Sequence, residues 1–254
     1  MKIVCIGAGN LATQLFQALK NAGFEIAQVF SRTESSAREL AEMLQVPFTI
    51  DTGKIITNAS LYMICVSDDA IEHVAEQLPL TNQLVVHTAG SVSMRVFIGK
   101  LTNYGVFYPL QTFSKTRPVD FSHIPVFLEA NTPTNLQLLC NVAGAISNRV
   151  YHATSEMRIQ LHLAAVFGCN FVNHLYHLAA QITQQAGFNF EILSPLILET
   201  ASKAIVSGNP QNTQTGPAVR NDQEVMQKHI ELLATRPEWQ EIYTMLSRNI
   251  VKKR

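Results

Sequence analysis

The chain has 254 residues, 47% of them hydrophobic and 15% charged, enough apolar material for one large domain or two. Nineteen basic and nineteen acidic residues cancel, which removes the electrostatic case for a nucleic acid or an anionic membrane as partner. No apolar run approaches the roughly 18–20 residues of a membrane span, glycines interrupt the opening "MKIVCIGAG" where a signal peptide would be apolar, and Cys5, Cys65, Cys140 and Cys169 show no CxxC spacing, so the expectation is a reduced, cytoplasmic protein.

Residues 3–6 form a strand-like apolar run, and 11–21 have helical periodicity. A second strand is predicted over 26–30 and a second helix over 35–44. Further strands are predicted over 61–66, 84–87, 105–108 and 126–128. Alternation of strand and helix argues for a doubly wound, mainly parallel sheet covered on both faces. The texture changes near His152. One helical pattern runs over 155–187, with Thr154 or Ser155 as its N-cap and Gly187 as its stop. A helix over about 195–206 follows, then a polar loop. Asn221 with Glu224 resembles a capping box, and Pro237 suits the first position of a last helix. The terminal "KKR" reads as a solvated end. The predicted fold class is therefore α/β, with a Rossmann domain over 1–152 and an all-helical domain over 153–254.

Gly7, Gly9 and Ala12 make a GxGxxA motif after the first strand. Gly7 permits the tight turn, Gly9 lets backbone approach a pyrophosphate, and Ala12 allows close helix packing. The helix opened by Asn10 and Leu11 offers free N–H groups to the phosphates. At the end of the second strand, where an acid would hold the ribose of NAD, stand Ser31, Arg32 and Thr33. Arg32 can pair with a 2′-phosphate, and the hydroxyls can donate to it. The expected cofactor is NADP(H) rather than NAD(H).

With "GAGNLA", "FSRT", "ICVSDDAI" and "VVHTAGS", the chain resembles the 6-phosphogluconate dehydrogenase-like superfamily. It looks nearest to pyrroline-5-carboxylate reductase and to Rossmann-like NADP oxidoreductases of unknown substrate. "HLAAVFGCNFVNHL" and "TGPAVRND" are similar to the latter group. The resemblance implies that Val66, Ser67 and Asp68 run past the cofactor and that His87, Thr88 and Ala89 lie near the nicotinamide. It also implies a helical half that closes a cleft and joins a homodimer through the C-terminal helices. The superfamily's hydroxyacid dehydrogenases place a lysine four residues before an asparagine on the long helix. Here Val166 precedes Asn170 at that spacing, which argues against their mechanism.

On the long helix, Arg158, His162, Asn170, Asn173, His177, Gln181 and Gln184 share one broad face. That face is a cleft wall, a hydrogen-bonded interface or a solvated surface. His87, at a strand's carboxyl end, is either an acid/base residue or a cofactor contact and structural hydrogen bonder. "GVFYPLQTFS" is a strand-exit loop or a substrate-side wall presenting Tyr108. In "TGPAVRND", Arg220 and Asp222 serve local capping and pairing, or Arg220 holds a substrate carboxylate. His73, His123, His152 and His229 have no partners in sequence, and no metal site is expected. The reading is an NADP(H)-dependent oxidoreductase acting on a small carbonyl or imine, with His162, Asn170 and His87 to polarise and protonate it. A non-catalytic NADP-binding sensor or scaffold is the alternative, and a deazaflavin as hydride partner stays open.

Overall fold

The computed structural model describes residues 1–251; the "KKR" end lies outside the described residues. Strand β1 (Lys2–Ile6) leads through helix α1 (Asn10–Asn21) to β2 (Glu25–Phe30), α2 (Glu34–Leu44) and β3 (Phe48–Thr49). Then come β4 (Leu61–Ile64), α3 (Ile71–Gln77), β5 (Leu84–His87), β6 (Asn103–Pro109), β7 (Val126–Ala130), α4 (Pro133–Gly144) and β8 (Val150–His152). The sheet order is β3-β2-β1-β4-β5-β6-β7-β8. All neighbours are parallel except β6 and β7.

Both faces are covered, as a parallel sheet requires. Ile3 and Cys5 turn to one face, where Leu15, Phe16, Leu40 and Leu139 bury them. Val4 and Ile6 turn to the other, among Tyr62, Ile64, Ile71 and Phe97. This period of two explains why β1 reads as an unbroken apolar run.

The chain divides into two compact units, Met1–Leu175 and Tyr176–Arg254. The boundary expected at 152/153 coincides with the end of β8, while the division between units falls later, inside a helix. That stretch is not one uniform helix. Helix α5 (Ser155–Ala165) starts at Thr154, whose hydroxyl accepts from the Met157 N–H. A π-helical turn over Val166–Asn170 follows, then α6 (Phe171–Gln185). Gly187 ends it in the left-handed conformation with φ 82°, and the Phe188 N–H reaches back to the Thr183 carbonyl.

In the second unit, α7 (Ser194–Ser207) ends at left-handed Gly208, and α8 (Gln223–Leu232) and α9 (Pro237–Val251) follow. The cap of α8 is Asp222, whose carboxylate accepts from the Val225 N–H at 3.2 Å, rather than the expected Asn221. Asn221 sits one residue earlier at φ 53°, a left-handed turn that asparagine tolerates. Glu224 pairs with Lys228 instead of closing a capping box. Among the described residues no helix is long and apolar enough to cross a membrane.

Candidate functional site

The strand order reverses between β1 and β4, and the carboxyl ends of β1, β2, β4, β5 and β6 share one edge of the sheet. Open α/β sheets bind ligands at such a point. Gly7 takes φ 110°, and its N–H donates to the Phe30 carbonyl at 2.7 Å. A Cβ there would sit 2.3 Å from the Cys65 carbonyl oxygen. A Cβ on Gly9 would meet nothing within 4 Å. Gly9 caps α1 without a side-chain hydrogen bond, and the first turn of α1 carries no acid. The first-turn N–H groups of Asn10, Leu11 and buried Ala12 therefore have no capping side chain and no first-turn anion of the chain's own.

A cavity of 390 Å³ lies beside this turn, lined by Gly7, Gly9, Ser31, Arg32, Thr33 and Val66, among others. Arg32 is exposed and forms no ion pair among the described residues. A cradle that only glycine permits, open backbone and an uncommitted guanidinium fit a phosphorylated dinucleotide. Ser36, Ser67, His73 and Gln77 also line the cavity. Sequence reading left His73 without a partner; its ring bonds Gln77 at 2.9 Å one turn along α3.

A second group of side chains lies where β5 and β6 end. Register aligns Ile6, Ile64, His87, Val106 and Glu129 across the sheet. His87 has no exposed surface. Its Nδ1 accepts from the Ala89 N–H at 3.2 Å, and Nε2 has no partner among the described residues. Burial, reinforced by the Arg158 charge, lowers its pKa to about 3. His87 is thus a neutral, buried ring at physiological pH, and the expected role as a proton-donating acid does not suit it.

Arg158 is likewise fully buried, not part of a polar helix surface. Its Nη1 donates to the carbonyls of Ala89, Gly90 and Val92 at 2.9, 3.1 and 2.7 Å. Its Nη2 donates to Glu129 at 3.2 Å and Ser155 at 3.1 Å. Glu129 in turn accepts from the N–H and hydroxyl of Ser155. The guanidinium therefore fastens the loop after β5 to β7 and to the start of α5. Its charge is spread over a carboxylate and three carbonyl dipoles.

Above this clamp, the Tyr108 hydroxyl and His162 Nδ1 are 3.2 Å apart. A Cβ on Gly90 would lie 2.6 Å from that Nδ1 and 2.7–2.8 Å from the Tyr108 Cζ and Oη. Burial raises the Tyr108 pKa; Asp68 adds to the rise and Arg158 opposes it. Asp68 also accepts from Ser91, joining the exits of β4 and β5. Thr88 bonds the Ile64 carbonyl through both its N–H and its hydroxyl.

Asn170, the last residue of the π turn, is exposed and hydrogen-bonds to none of these residues. His177 pairs with Gln181 at 2.7 Å along α6. Within the second unit, grooves of 480 and 590 Å³ are lined by residues such as Pro210 and Gln214, and Glu241, Met245 and Arg248, respectively. Arg220 forms no ion pair with Asp222 among the described residues. No group of three or more His, Cys, Asp or Glu able to hold a metal occurs among the described residues.

Residues 124–250 match the family described as Domain of unknown function (DUF2520). Residues 2–90 match the family described as NADP oxidoreductase coenzyme F420-dependent. A crystal structure from Bacteroides fragilis, provisionally described as an NADP oxidoreductase, is 46% identical with a TM-score of 0.92, covering 99% of this chain and 98% of that one. Two more distant structures share the fold. A 1-pyrroline-5-carboxylate reductase of Streptococcus pyogenes is 14% identical (TM-score 0.66), covering 99% and 98% of the two chains. An imine reductase of Myxococcus stipitatus in complex with NADP+ is 15% identical (TM-score 0.68), covering 100% and 95%. A curated relative, glucose-fructose oxidoreductase domain-containing protein 2 of Xenopus tropicalis, is 32% identical over 85 residues. That match spans 33% of this chain and 20% of the relative. The N-terminal fold is thus the NAD(P)-binding fold of oxidoreductases.

Proposed function

This chain belongs to the family described as Domain of unknown function (DUF2520), and on that premise we propose that it is an NADP(H)-dependent oxidoreductase of a small carbonyl or imine. The observation that carries the reading is the crevice between β1 and β4, where glycine geometry, open helix N–H groups and free Arg32 meet at one cavity. The dinucleotide supplies or accepts a hydride when bound. Gly7, Gly9, Asn10, Leu11 and Ala12 would hold its phosphates, and Ser31, Arg32 and Thr33 its 2′-phosphate. Val66, Ser67 and Asp68, with Thr88 and Ala89, would border it along the edge of the sheet. Arg158 and neutral His87 keep the Thr88–Val92 loop in place, and His162, paired with the Tyr108 hydroxyl, belongs to the group that supplies the substrate's proton. Asn170 is assigned to substrate orientation.

Exposed Leu163, Phe167 and Phe171 in the first unit, and Leu196, Leu198 and Ile205 in the second, support a homodimer formed through the C-terminal helices.

The test is a fluorescence titration with NADPH and NADH, followed by a screen of small imines, ketoacids and aldehydes for loss of reduced-nicotinamide absorbance. A deazaflavin is included as alternative hydride partner, since the description matched by residues 2–90 names coenzyme F420. Tighter binding of NADPH and turnover of one substrate class are expected. Failure to bind either nucleotide would overturn the reading; binding without turnover would favour a sensor.

A further inference from the structure

We propose that Tyr108 is the residue that hands the proton to the substrate, with His162 behind it as the group that orients and recharges it. This rests on the oxidoreductase reading above and adds a catalytic residue to it.

Three observations converge. First, Tyr108 stands at the end of β6, at the same sheet edge as the exits of β1, β4 and β5. A strand holds a side chain more firmly than a loop does. Its ring is flanked by Phe127, with centroids 6.4 Å apart, and by the edge of His162 at 6.3 Å. Second, His162 Nδ1 is engaged by the Tyr108 hydroxyl at 3.2 Å, so this ring nitrogen already has a partner. A proton leaving His162 from this atom goes to Tyr108 before it can go elsewhere. Third, the loop after β5 lies against this pair at the one position where a side chain would part them. The absent Cβ of Gly90 would overlap His162 Nδ1, Tyr108 Cζ and Tyr108 Oη together. Arg158, through the Ala89, Gly90 and Val92 carbonyls, fixes that loop in contact with them.

Charge favours the phenol as the stored form. Tyr108 is buried, and burial raises its pKa; Arg158 opposes that rise, Asp68 adds a smaller increment to it, and the net shift is upward. Tyr108 therefore keeps its proton near neutrality until a base appears. In the direction of reduction, the substrate carbon receives a hydride from the reduced dinucleotide. The π pair of its C=N or C=O bond moves onto the heteroatom. The Tyr108 O–H bond breaks as that proton joins the new lone pair, forming N–H or O–H. The phenolate left behind takes the Nδ1 proton of His162, while Nε2 of the half-buried imidazole gains one from solvent. Oxidation follows the same path in reverse.

The test compares Tyr108→Phe, His162→Gln, the double variant and Gly90→Ala. Phenylalanine keeps the packing and removes only the hydroxyl. With the substrate found above, Tyr108→Phe should lower kcat by about 10²-fold, the usual contribution of a general acid, with KM and NADPH affinity nearly unchanged. His162→Gln should cost less, and the double variant no more than Tyr108→Phe alone, because the two act in series. If His162→Gln loses about 10²-fold while Tyr108→Phe stays near wild type, His162 acts directly and the proposal falls. A second readout needs no turnover. The His162 imidazole ¹⁵N resonances, assigned by their loss in His162→Gln, should shift in both Tyr108→Phe and Gly90→Ala. Unmoved resonances would overturn the pairing. Absence of nucleotide binding in the wild-type chain would instead overturn the oxidoreductase reading.

Discussion

Gly7 and Cys65 approach so closely that a single methyl group on Gly7 would reach 2.3 Å from the Cys65 carbonyl oxygen. Gly9, two residues on, faces open space. The two glycines of one motif thus do different jobs. Gly7→Ala forces a β-carbon into the β4 exit at φ 110°, and it should lower stability by about 1–3 kcal/mol, as backbone strain of this kind does. Gly9→Ala should leave the melting temperature unchanged and weaken NADPH binding, because its methyl occupies the approach to the helix N-terminus. Thermal melts with and without NADPH separate the two effects.

Arg32 is the residue that should choose between nucleotides. A charge-assisted pair contributes roughly 1.5–3 kcal/mol, so Arg32→Ala should weaken NADPH by about 10- to 100-fold and leave NADH almost untouched. The difference should shrink as salt is added. Isothermal titration at two ionic strengths checks both statements; equal losses for the two nucleotides would refute the assignment.

Arg158→Met removes a buried cation and leaves Glu129 without its counter-charge and three carbonyls without a donor. Breaking a buried pair from one side costs about 3–5 kcal/mol. Urea unfolding should show a loss of that order. Glu129→Gln, which keeps an acceptor for Ser155, should cost less.

Neutral, buried His87 makes the fold sensitive to acid. Its folded pKa, about 3, lies below the ordinary 6.5. The unfolded chain therefore binds the extra proton between those values, and stability falls as pH drops through that window. The slope approaches 1.4 kcal/mol per pH unit once the unfolded ring is protonated. Asp120 and Glu156, whose pKa values are depressed by hydrogen bonds, lose their contribution only below the ordinary carboxylate range. Between pH 4.5 and 6.5 the slope should therefore belong mainly to His87. His87→Asn, which retains an acceptor for the Ala89 N–H, should flatten it in denaturant titrations.

Sedimentation should give twice the chain mass of 28.2 kDa at micromolar concentration. Phe167 is 63% exposed and packs edge-on against Phe171, so Phe167→Asp should shift the species to 28.2 kDa without unfolding it.

The Rossmann half was legible because its signals are local. Alternating strands, the GxGxxA turn and the Ser31–Thr33 exit each occupy a few consecutive residues. β3, with two residues, and β8, with three, offered no such signal; only their neighbours hold them in the sheet. His73 was left without its Gln77 partner because α3 has only seven residues, too few for a clear helical period. The place of Arg158 was left open for a different reason. Its helix face could be read as a cleft wall, a buried interface or a solvated surface, and nothing local chooses among them, because the three carbonyls that receive it come from residues about 70 positions away. The Tyr108–His162 pair was split in the same way. Both residues were noticed, but 54 positions separate them, and only the fold sets one against the other.

The π turn over Val166–Asn170 holds one residue more than an α-helical turn needs, with the Phe171 N–H donating to Val166 five positions back. The extra residue is accommodated within the helix rather than in a loop. Angular bookkeeping along α5 is therefore reset at this point, and residues on its two sides that share a face on a helical wheel do not share one in the protein. Removal of Gly168 would let the segment relax to regular pitch. Asn170 would then swing by about 100° relative to His162, one helical residue's worth of rotation. A single-codon deletion here would act as a rotation, redirecting a side chain without changing its identity.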